Sequence, residues 1–245
     1  MNAPVKPTLL TWLERNTMTI SLTDRHSRHR RYLTVASPIL ILVIGRLAAV
    51  FFAAHIGRWA WVGSSLVYWG SMAATIYLLG DMGQVRQWFS KPQGSRWWAV
   101  PAIGMGLIAF PLLLIPNLHV LRGGPLTLAW VAFGAVNAIC EEAYWRGFLL
   151  DGTAHLPRAV GVIQSTALFT VIHPLMLGVF SEIQRFDPSH PFELLPFLVI
   201  VVMIGLVYSL IYLKTRSLRL AILSHVLSDL GNLSIFLFMN VVTMG

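Results

Sequence analysis

Two adjacent glutamates, Glu141 and Glu142, and an arginine, Arg146, lie in a segment that is otherwise nearly all apolar. Two later apolar segments each carry one histidine, His173 and His225. An ionisable side chain inside a membrane span costs about 2.5–3.5 kcal/mol on insertion scales, and such residues mark chemistry or transport. The sequence therefore predicts that these carboxylates and imidazoles have a chemical role.

The spacing of the first three groups predicts an ion pair and a free carboxylate. Glu142 and Arg146 are four residues apart, about 40° around a helix, so they can pair on one face. Glu141 is about 140° from Arg146 and points elsewhere. Glu141 is thus the carboxylate expected to act as a general base.

The two histidines lie in contrasting surroundings. His225 begins a polar stripe, because Ser228, Asp229 and Asn232 follow it along one helix face. His173 precedes Pro174, which we expect to kink its helix. Interhelical hydrogen bonding alone is the alternative for such groups. Because three successive helices carry ionisable groups, a shared site is favoured over interhelical hydrogen bonding alone.

The lone cysteine excludes an internal disulfide and offers no CxxC pair. Cys140 stands beside Glu141, yet a buried thiol is a better interpretation than a nucleophile.

Composition places the chain in a membrane. Hydrophobic residues make up 56% of it and charged residues 11%, and the mean hydropathy is +0.68. The net charge of +8 comes from residues scattered at span ends, without a basic face carrying stacking aromatics. Nucleic acid is therefore not an expected partner, whereas membrane lipid is.

The predicted fold is an all-α, polytopic membrane helix bundle of about seven transmembrane helices. The expected spans are 35–56, 59–80, 97–117, 124–150, 157–180, 191–213 and 218–240. Residues 1–34 form a basic cytoplasmic tail, residues 35–123 accessory transmembrane helices, and residues 124–245 a catalytic transmembrane core.

The distribution of Lys and Arg predicts the orientation. With a cytoplasmic N-terminus, thirteen of these residues lie on the cytoplasmic side and three lie outside, Arg58, Arg122 and Arg185. The positive-inside rule therefore favours a cytoplasmic N-terminus and an outer C-terminus.

Three motifs in order resemble one known family. They are EExxxRG from Glu141 to Gly147, FxxxH from Phe169 to His173, and HxxxN/D from His225 to Asp229. This order is similar to the CPBP family (CAAX protease and bacteriocin-processing, also called Abi), which includes the type II CAAX prenyl endopeptidases. The resemblance covers residues 124–245, about half of the chain.

The resemblance implies an all-helical intramembrane endopeptidase whose site opens toward the cytoplasm. Glu141 and His173 would activate the hydrolytic water, and His225 with the residue at 229 would stabilise the oxyanion. The motif positions of Glu142 and Arg146 imply supporting roles.

Asp229 departs from the pattern, because many family members carry Asn there and an ionised carboxylate would repel an oxyanion. Three explanations stay open: Asp229 is protonated, Asp229 orients His225, or Asn232 supplies the amide instead. Of these, the orienting role is favoured.

Metal dependence separates two mechanisms. The family is often called a metalloprotease, and Glu141, His173 and His225 would suit a zinc ion with an open position. The sequence has no HExxH spacing, and adjacent glutamates with Arg146 do not resemble a metal cage. A metal-free, carboxylate-activated water without a cofactor is thus favoured, with zinc as the minority alternative.

The expected protein is a peptide hydrolase of a bacterial inner membrane that cuts a peptide or membrane-anchored protein near the cytoplasmic face. A proton-coupled transporter is one alternative, because buried Glu, His and Asp also form proton relays. A catalytically silent member acting as an immunity or scaffold protein is the other.

Overall fold

The described part of the chain is all-helical. The computed structural model describes residues 9–121 and 123–242, with side chains from residue 31 onwards, and no strand occurs in these ranges. The prediction of an all-α bundle is confirmed. The helices are α1 (Leu9–Ile56), α2 (Ala60–Leu79), α3 (Met82–Trp88), α4 (Ala99–Leu107), α5 (Pro125–Glu142), α6 (Leu149–Gly152), α7 (Arg158–Leu175), α8 (Leu195–Thr215), α9 (Arg219–Gly231) and α10 (Ser234–Phe238).

Two π-helical segments interrupt the predicted spans. The first, Phe110–Leu114, follows α4, and the second, Ala143–Phe148, joins α5 to α6. Short 3₁₀ turns occur at Gly57–Trp59, Arg96–Trp98, Leu118–Val120 and Leu177–Val179.

Five segments of the described chain are long and apolar enough to cross a membrane. They are Arg31–Leu79, Arg96–Leu114, Pro125–Gly152, Arg158–Val179 and Leu195–Thr215. The first holds both α1 and α2, which pack against each other and meet at a turn where Gly57 has a φ of +53°. A glycine adopts this left-handed conformation without a steric penalty, which permits the reversal.

The last predicted span, 218–240, is not one continuous helix. The helix α9 ends at Gly231, Leu233 has a φ of +54°, and α10 starts at Ser234. The count of seven spans and the cytoplasmic N-terminus stay predictions.

The first helix starts earlier than expected. Backbone from Leu9 is helical and continues into the span predicted from residue 35. Residues 1–8 of the predicted tail, and the side chains of 9–30, lie outside the described part.

Large apolar side chains cover the outside of the bundle, as expected where lipid is the solvent. Leu66, Leu128 and Ile163 are 62%, 73% and 64% exposed. Bulky polar-tipped residues fill the inside instead: Tyr68, Tyr144, Trp145, Tyr208 and Tyr212 are fully buried.

One end of the bundle, called here the basic end, joins the end of α6, the end of α8 and the start of α9. The Trp88 indole nitrogen and the Tyr212 hydroxyl both donate to Asp151 Oδ2, at 2.9 and 2.8 Å. Arg219 Nε donates to the Phe89 carbonyl at 2.8 Å. The cations of this end are Arg31, Arg86, Lys91, Arg96, Arg158, Lys214, Arg216 and Arg219, and its acids are Asp81 and Asp151.

The other end, called here the acidic end, joins the α7–α8 loop to the residues after α10. The Glu182 backbone N–H donates to Asn240 Oδ1 at 2.9 Å, and Asn240 Nδ2 donates to the Phe180 carbonyl at 3.0 Å. The charged residues described here are Arg58, Glu182, Arg185, Asp187 and Glu193.

One exposed ion pair belongs to this loop. His190 Nδ1 lies 3.2 Å from Asp187 Oδ2, and this hydrogen bond raises the pKa of His190 above its usual value. The pKa of Asp187 is lowered, chiefly because its carboxylate accepts a hydrogen bond from the Ser189 backbone N–H.

Candidate functional site

A cavity of about 380 Å³ lies inside the bundle, between α2, α5, α7, α8 and α9. All four predicted catalytic residues line it, Glu141, His173, His225 and Asp229, together with Asn232. The volume lies within the range of small-molecule sites, roughly 300–1,000 Å³. Three helices distant in sequence thus bring their ionisable groups to one space.

Of the three residues predicted as supporting, Asn232 lines the cavity, whereas Glu142 and Arg146 lie behind its wall. Arg146 Nη1 donates to Glu142 Oε1 at 3.0 Å, and both side chains are fully buried. This confirms the predicted ion pair. The guanidinium carbon of Arg146 also lies 4.3 Å from the Phe169 ring centre and 5.4 Å from that of Tyr208. Cation–π contacts therefore hold the arginine from its other faces.

Glu142 holds His225 in place. His225 Nδ1 lies 2.8 Å from Glu142 Oε1, whereas its Nε2 lies 3.8 Å from Asp229 Oδ1. A contact of 3.8 Å is too long for a hydrogen bond, so Glu142 fits the orienting role better than Asp229. The second nitrogen, Nε2, faces Glu141 Oε2 at 3.5 Å.

Asp229 is anchored from α5 rather than by His225. Asn137 Nδ2 donates to Asp229 Oδ2 at 3.0 Å, and Asn137 Oδ1 accepts a hydrogen bond from the Trp69 indole at 2.9 Å. Asn232 Oδ1 is buried without a hydrogen-bond partner. The Asp229 carboxylate is therefore fixed by the Asn137 amide.

His173 lies across the cavity from this cluster. Its Nδ1 hydrogen-bonds the Phe169 carbonyl at 2.9 Å. A carbonyl only accepts, so Nδ1 carries the proton and Nε2 of the neutral ring has a free lone pair. The Phe169 ring packs edge-on against both imidazoles, with its centre 5.1 Å from that of His173 and 6.1 Å from that of His225. We expected Pro174 to kink a longer helix. In the structure α7 ends at Leu175, one residue after this proline.

The π-helical segment shapes the floor of the site. Its wider turn frees the Trp145 carbonyl, which accepts a hydrogen bond from Ser165 Oγ at 2.8 Å. A Cβ at Gly147 would lie 2.7 Å from the Trp88 ring, so only glycine fits beside this indole. Single π turns inside α-helices are frequent at functional sites. The sequence predicted one uninterrupted α-helix over 124–150, and this prediction did not include the π-helical turn.

Three further residues contribute to the site. Tyr68 lines the cavity together with Glu141 and accepts a hydrogen bond from the Trp145 indole at 3.2 Å. Tyr208 lies beside His225 with ring centres 5.5 Å apart and ring planes tilted by 37°. Asn137 lies four residues before Glu141, so the spacing alone could have predicted that the two side chains share one helix face. The two tyrosines had no such signal, because aromatic residues are ordinary in apolar spans.

Cys140 is half-buried and is not among the residues that line the cavity. Its position does not favour a role as nucleophile.

The donors do not fit a zinc site. Across the described residues, no group of three or more His, Cys, Asp or Glu side chains has the arrangement to hold a metal ion. One ring nitrogen of each histidine is already engaged, His225 Nδ1 by Glu142 and His173 Nδ1 by the Phe169 carbonyl. The minority alternative of zinc at Glu141, His173 and His225 needs a different arrangement of these side chains.

The cavity extends from Glu141 and His225 toward the acidic end, where Gln184 and Glu193 of the α7–α8 loop line it. Two expectations from the sequence therefore conflict. A cytoplasmic N-terminus puts the basic end inside the cell, whereas a site open to the cytoplasm puts the acidic end there.

Comparison with known families gives one match. The model of the type II CAAX prenyl endopeptidase Rce1-like family matches residues 123–231. This confirms the resemblance to the CPBP family, and it supports a CAAX-type intramembrane protease as the kind of function. Comparisons with curated proteins and with solved structures give no match. The match and the apolar helices together indicate an integral membrane protein.

Proposed function

We propose that this chain is an intramembrane endopeptidase that hydrolyses a peptide bond with a water activated by Glu141 and His173. The observation that carries the proposal is the convergence of Glu141, His173, His225 and Asp229 on one cavity inside the bundle. Acids and imidazoles facing a wet space within apolar helices are the groups that amide hydrolysis needs.

Water activation is assigned to the two bases that face the cavity. The Glu141 carboxylate lines the cavity with one oxygen 3.5 Å from His225 Nε2, and His173 offers the lone pair of Nε2. A water between them gives its proton to one of these groups as its oxygen attacks the carbonyl carbon. Side chains fixed by hydrogen bonds need little rearrangement at that moment.

Oxyanion stabilisation is assigned to His225. In its imidazolium form both ring nitrogens donate, with Nδ1–H on Glu142 and Nε2–H facing the cavity. The ion pair with Arg146 keeps Glu142 in position behind the ring. A donor fixed in a low-dielectric cavity stabilises a developing negative charge strongly.

Collapse of the tetrahedral intermediate breaks the carbon–nitrogen bond. The proton taken from the water passes from Glu141 or His173 to the leaving amine, and the products are a carboxylate and an amine. Asp229 stays outside these transfers, because the Asn137 amide of α5 holds its carboxylate.

The test is a map of peptide termini in membranes from cells that produce the wild-type protein or Glu141→Gln. We expect cleavage products of the wild type to disappear in Glu141→Gln. The matched control is Glu182→Gln, which changes an exposed carboxylate of the acidic end and should leave the map unchanged. An identical map for the wild type and a folded Glu141→Gln would refute the proposal.

A further inference from the structure

The elements around the cavity line it with the portions that lie nearer the acidic end. On α5, the lining residues Phe133 and Asn137 precede Glu141, on the side of the acidic end. On α8 they are Pro196, Phe197 and Ile200, all in the first two turns from the acidic end.

The other elements show the same direction. Lining residues Met176 and Leu177 follow His173, and the α7–α8 loop adds Glu193. After Asp229 the lining continues through Asn232, Ser234, Leu237 and Phe238. Each element therefore contributes its acidic-end portion.

The basic-end side of the site is filled with side chains. Below Glu141 lie Tyr144, Trp145, Arg146 and Leu149, all fully buried, and Trp88 packs against Gly147. Interiors packed in this way leave no path for a peptide. A substrate must come from the acidic end.

Charge assigns the two ends to the two sides of the membrane. Cations dominate the basic end, whereas the described part of the acidic end has two arginines, Arg58 and Arg185, beside the carboxylates of Glu182, Asp187 and Glu193. Lys and Arg of short loops accumulate on the cytoplasmic side. The acidic end, and the cavity with it, is then on the outer side.

We propose that the site opens at the non-cytoplasmic face and takes an outward-facing peptide segment of a membrane-anchored or exported protein. The inference rests on the proposed peptidase function for the nature of its occupant. It replaces the cytoplasmic opening that the family resemblance implies.

The walls of the cavity fit an apolar segment that arrives from the outer leaflet. Leu112 and Ile200 line the cavity and are also 65% and 47% exposed on the outside of the bundle. The cavity thus has an apolar border with the lipid, beside the end of the first π segment and the start of α8. A peptide joined to a membrane anchor can keep its apolar flank in lipid there while its backbone reaches Glu141.

The test is labelling of single cysteines by a membrane-impermeant maleimide in a Cys140→Ala background. Glu193→Cys marks the mouth of the cavity, and Ser189→Cys marks the exposed loop beside it. Lys91→Cys marks the basic end as the matched control. In intact spheroplasts we expect labelling at 189 and 193 and none at 91, with labelling at 91 after lysis.

The reverse pattern, or labelling at both ends of intact cells, would overturn the inference. A second measurement covers a variant that does not fold: alkaline phosphatase fused after Gly245 should be active, and a fluorescent protein fused there should stay dark. A fluorescent fusion together with an inactive alkaline phosphatase fusion would also overturn the inference. Neither readout needs catalysis, so a failed cleavage map and a failed topology map are distinguishable.

Discussion

Replacing Arg146 with methionine should destabilise the bundle more than any exposed charge substitution. The guanidinium is fully buried, donates to Glu142 Oε1 at 3.0 Å and lies 4.3 Å from the Phe169 ring. Arg146→Met strands the Glu142 carboxylate, with only His225 as a partner. Removing one member of a buried ion pair costs about 3–5 kcal/mol. We expect a loss of about that size in the free energy of unfolding.

The assay is reversible unfolding in mixed detergent micelles, followed by tryptophan fluorescence. Arg46→Met is the matched control, because Arg46 is exposed and makes one hydrogen bond, to the Leu175 carbonyl at 3.1 Å. Its loss should cost about 1 kcal/mol. The double variant Glu142→Gln with Arg146→Met removes the stranded charge and should recover about 2 kcal/mol relative to the sum of the single effects.

An effect of Arg146→Met no larger than that of Arg46→Met would refute this reasoning. So would a double variant whose loss equals the sum of the two single losses, because the stranded charge would then carry no cost.

Three further changes test other parts of the structure. Asp229→Asn should keep cleavage within about tenfold of the wild type, because the carboxylate lies 3.8 Å from the nearest imidazole nitrogen and makes no strong contact there; near-total loss in a folded variant would instead show a task that needs the charge. Gly147→Ala puts a Cβ 2.7 Å from an indole ring and should lower the free energy of unfolding by about 1–3 kcal/mol, whereas Gly70→Ala, with nothing within 4 Å, should not lower it. Asp187→Asn should lower the pKa of His190, measured by histidine-selective NMR, because the carboxylate that favours the imidazolium is gone; a pKa that stays or rises would contradict the ion pair.

Local spacing in the sequence was sufficient to predict the ion pair and the polar stripe. Glu142 and Arg146 lie one turn apart, and Asp229 follows His225 by one turn, so helix geometry alone put them on shared faces. The apolar setting of each motif also predicted that these groups face an interior rather than lipid. The observed cavity agrees with that prediction.

Contacts between distant helices were beyond the sequence. The 2.8 Å contact of Glu142 with His225 joins residues 83 positions apart, and the sequence instead suggested Asp229 as the orienting group. The contribution of Tyr68 comes from the half of the chain regarded as accessory. A tyrosine in an apolar span does not differ by type from one that only fills space.

Backbone irregularities were equally beyond the sequence pattern. The π turn at Ala143–Phe148 and the break at Leu233 both lie within stretches that read as continuous apolar spans. At the π turn the Ser165 hydroxyl, from another helix, donates to the Trp145 carbonyl, and local spacing does not reveal such a partner.

In the proposed mechanism, Glu141 activates a water for peptide hydrolysis in this cavity. The most direct test is single-turnover cleavage of a mapped substrate peptide by purified protein in proteoliposomes, comparing the wild type with Glu141→Gln and Glu182→Gln. Loss of a general base reduces the rate by about 10²–10⁴-fold. We predict that loss for Glu141→Gln and an unchanged rate for Glu182→Gln. Wild-type cleavage by a folded Glu141→Gln protein would contradict the mechanism.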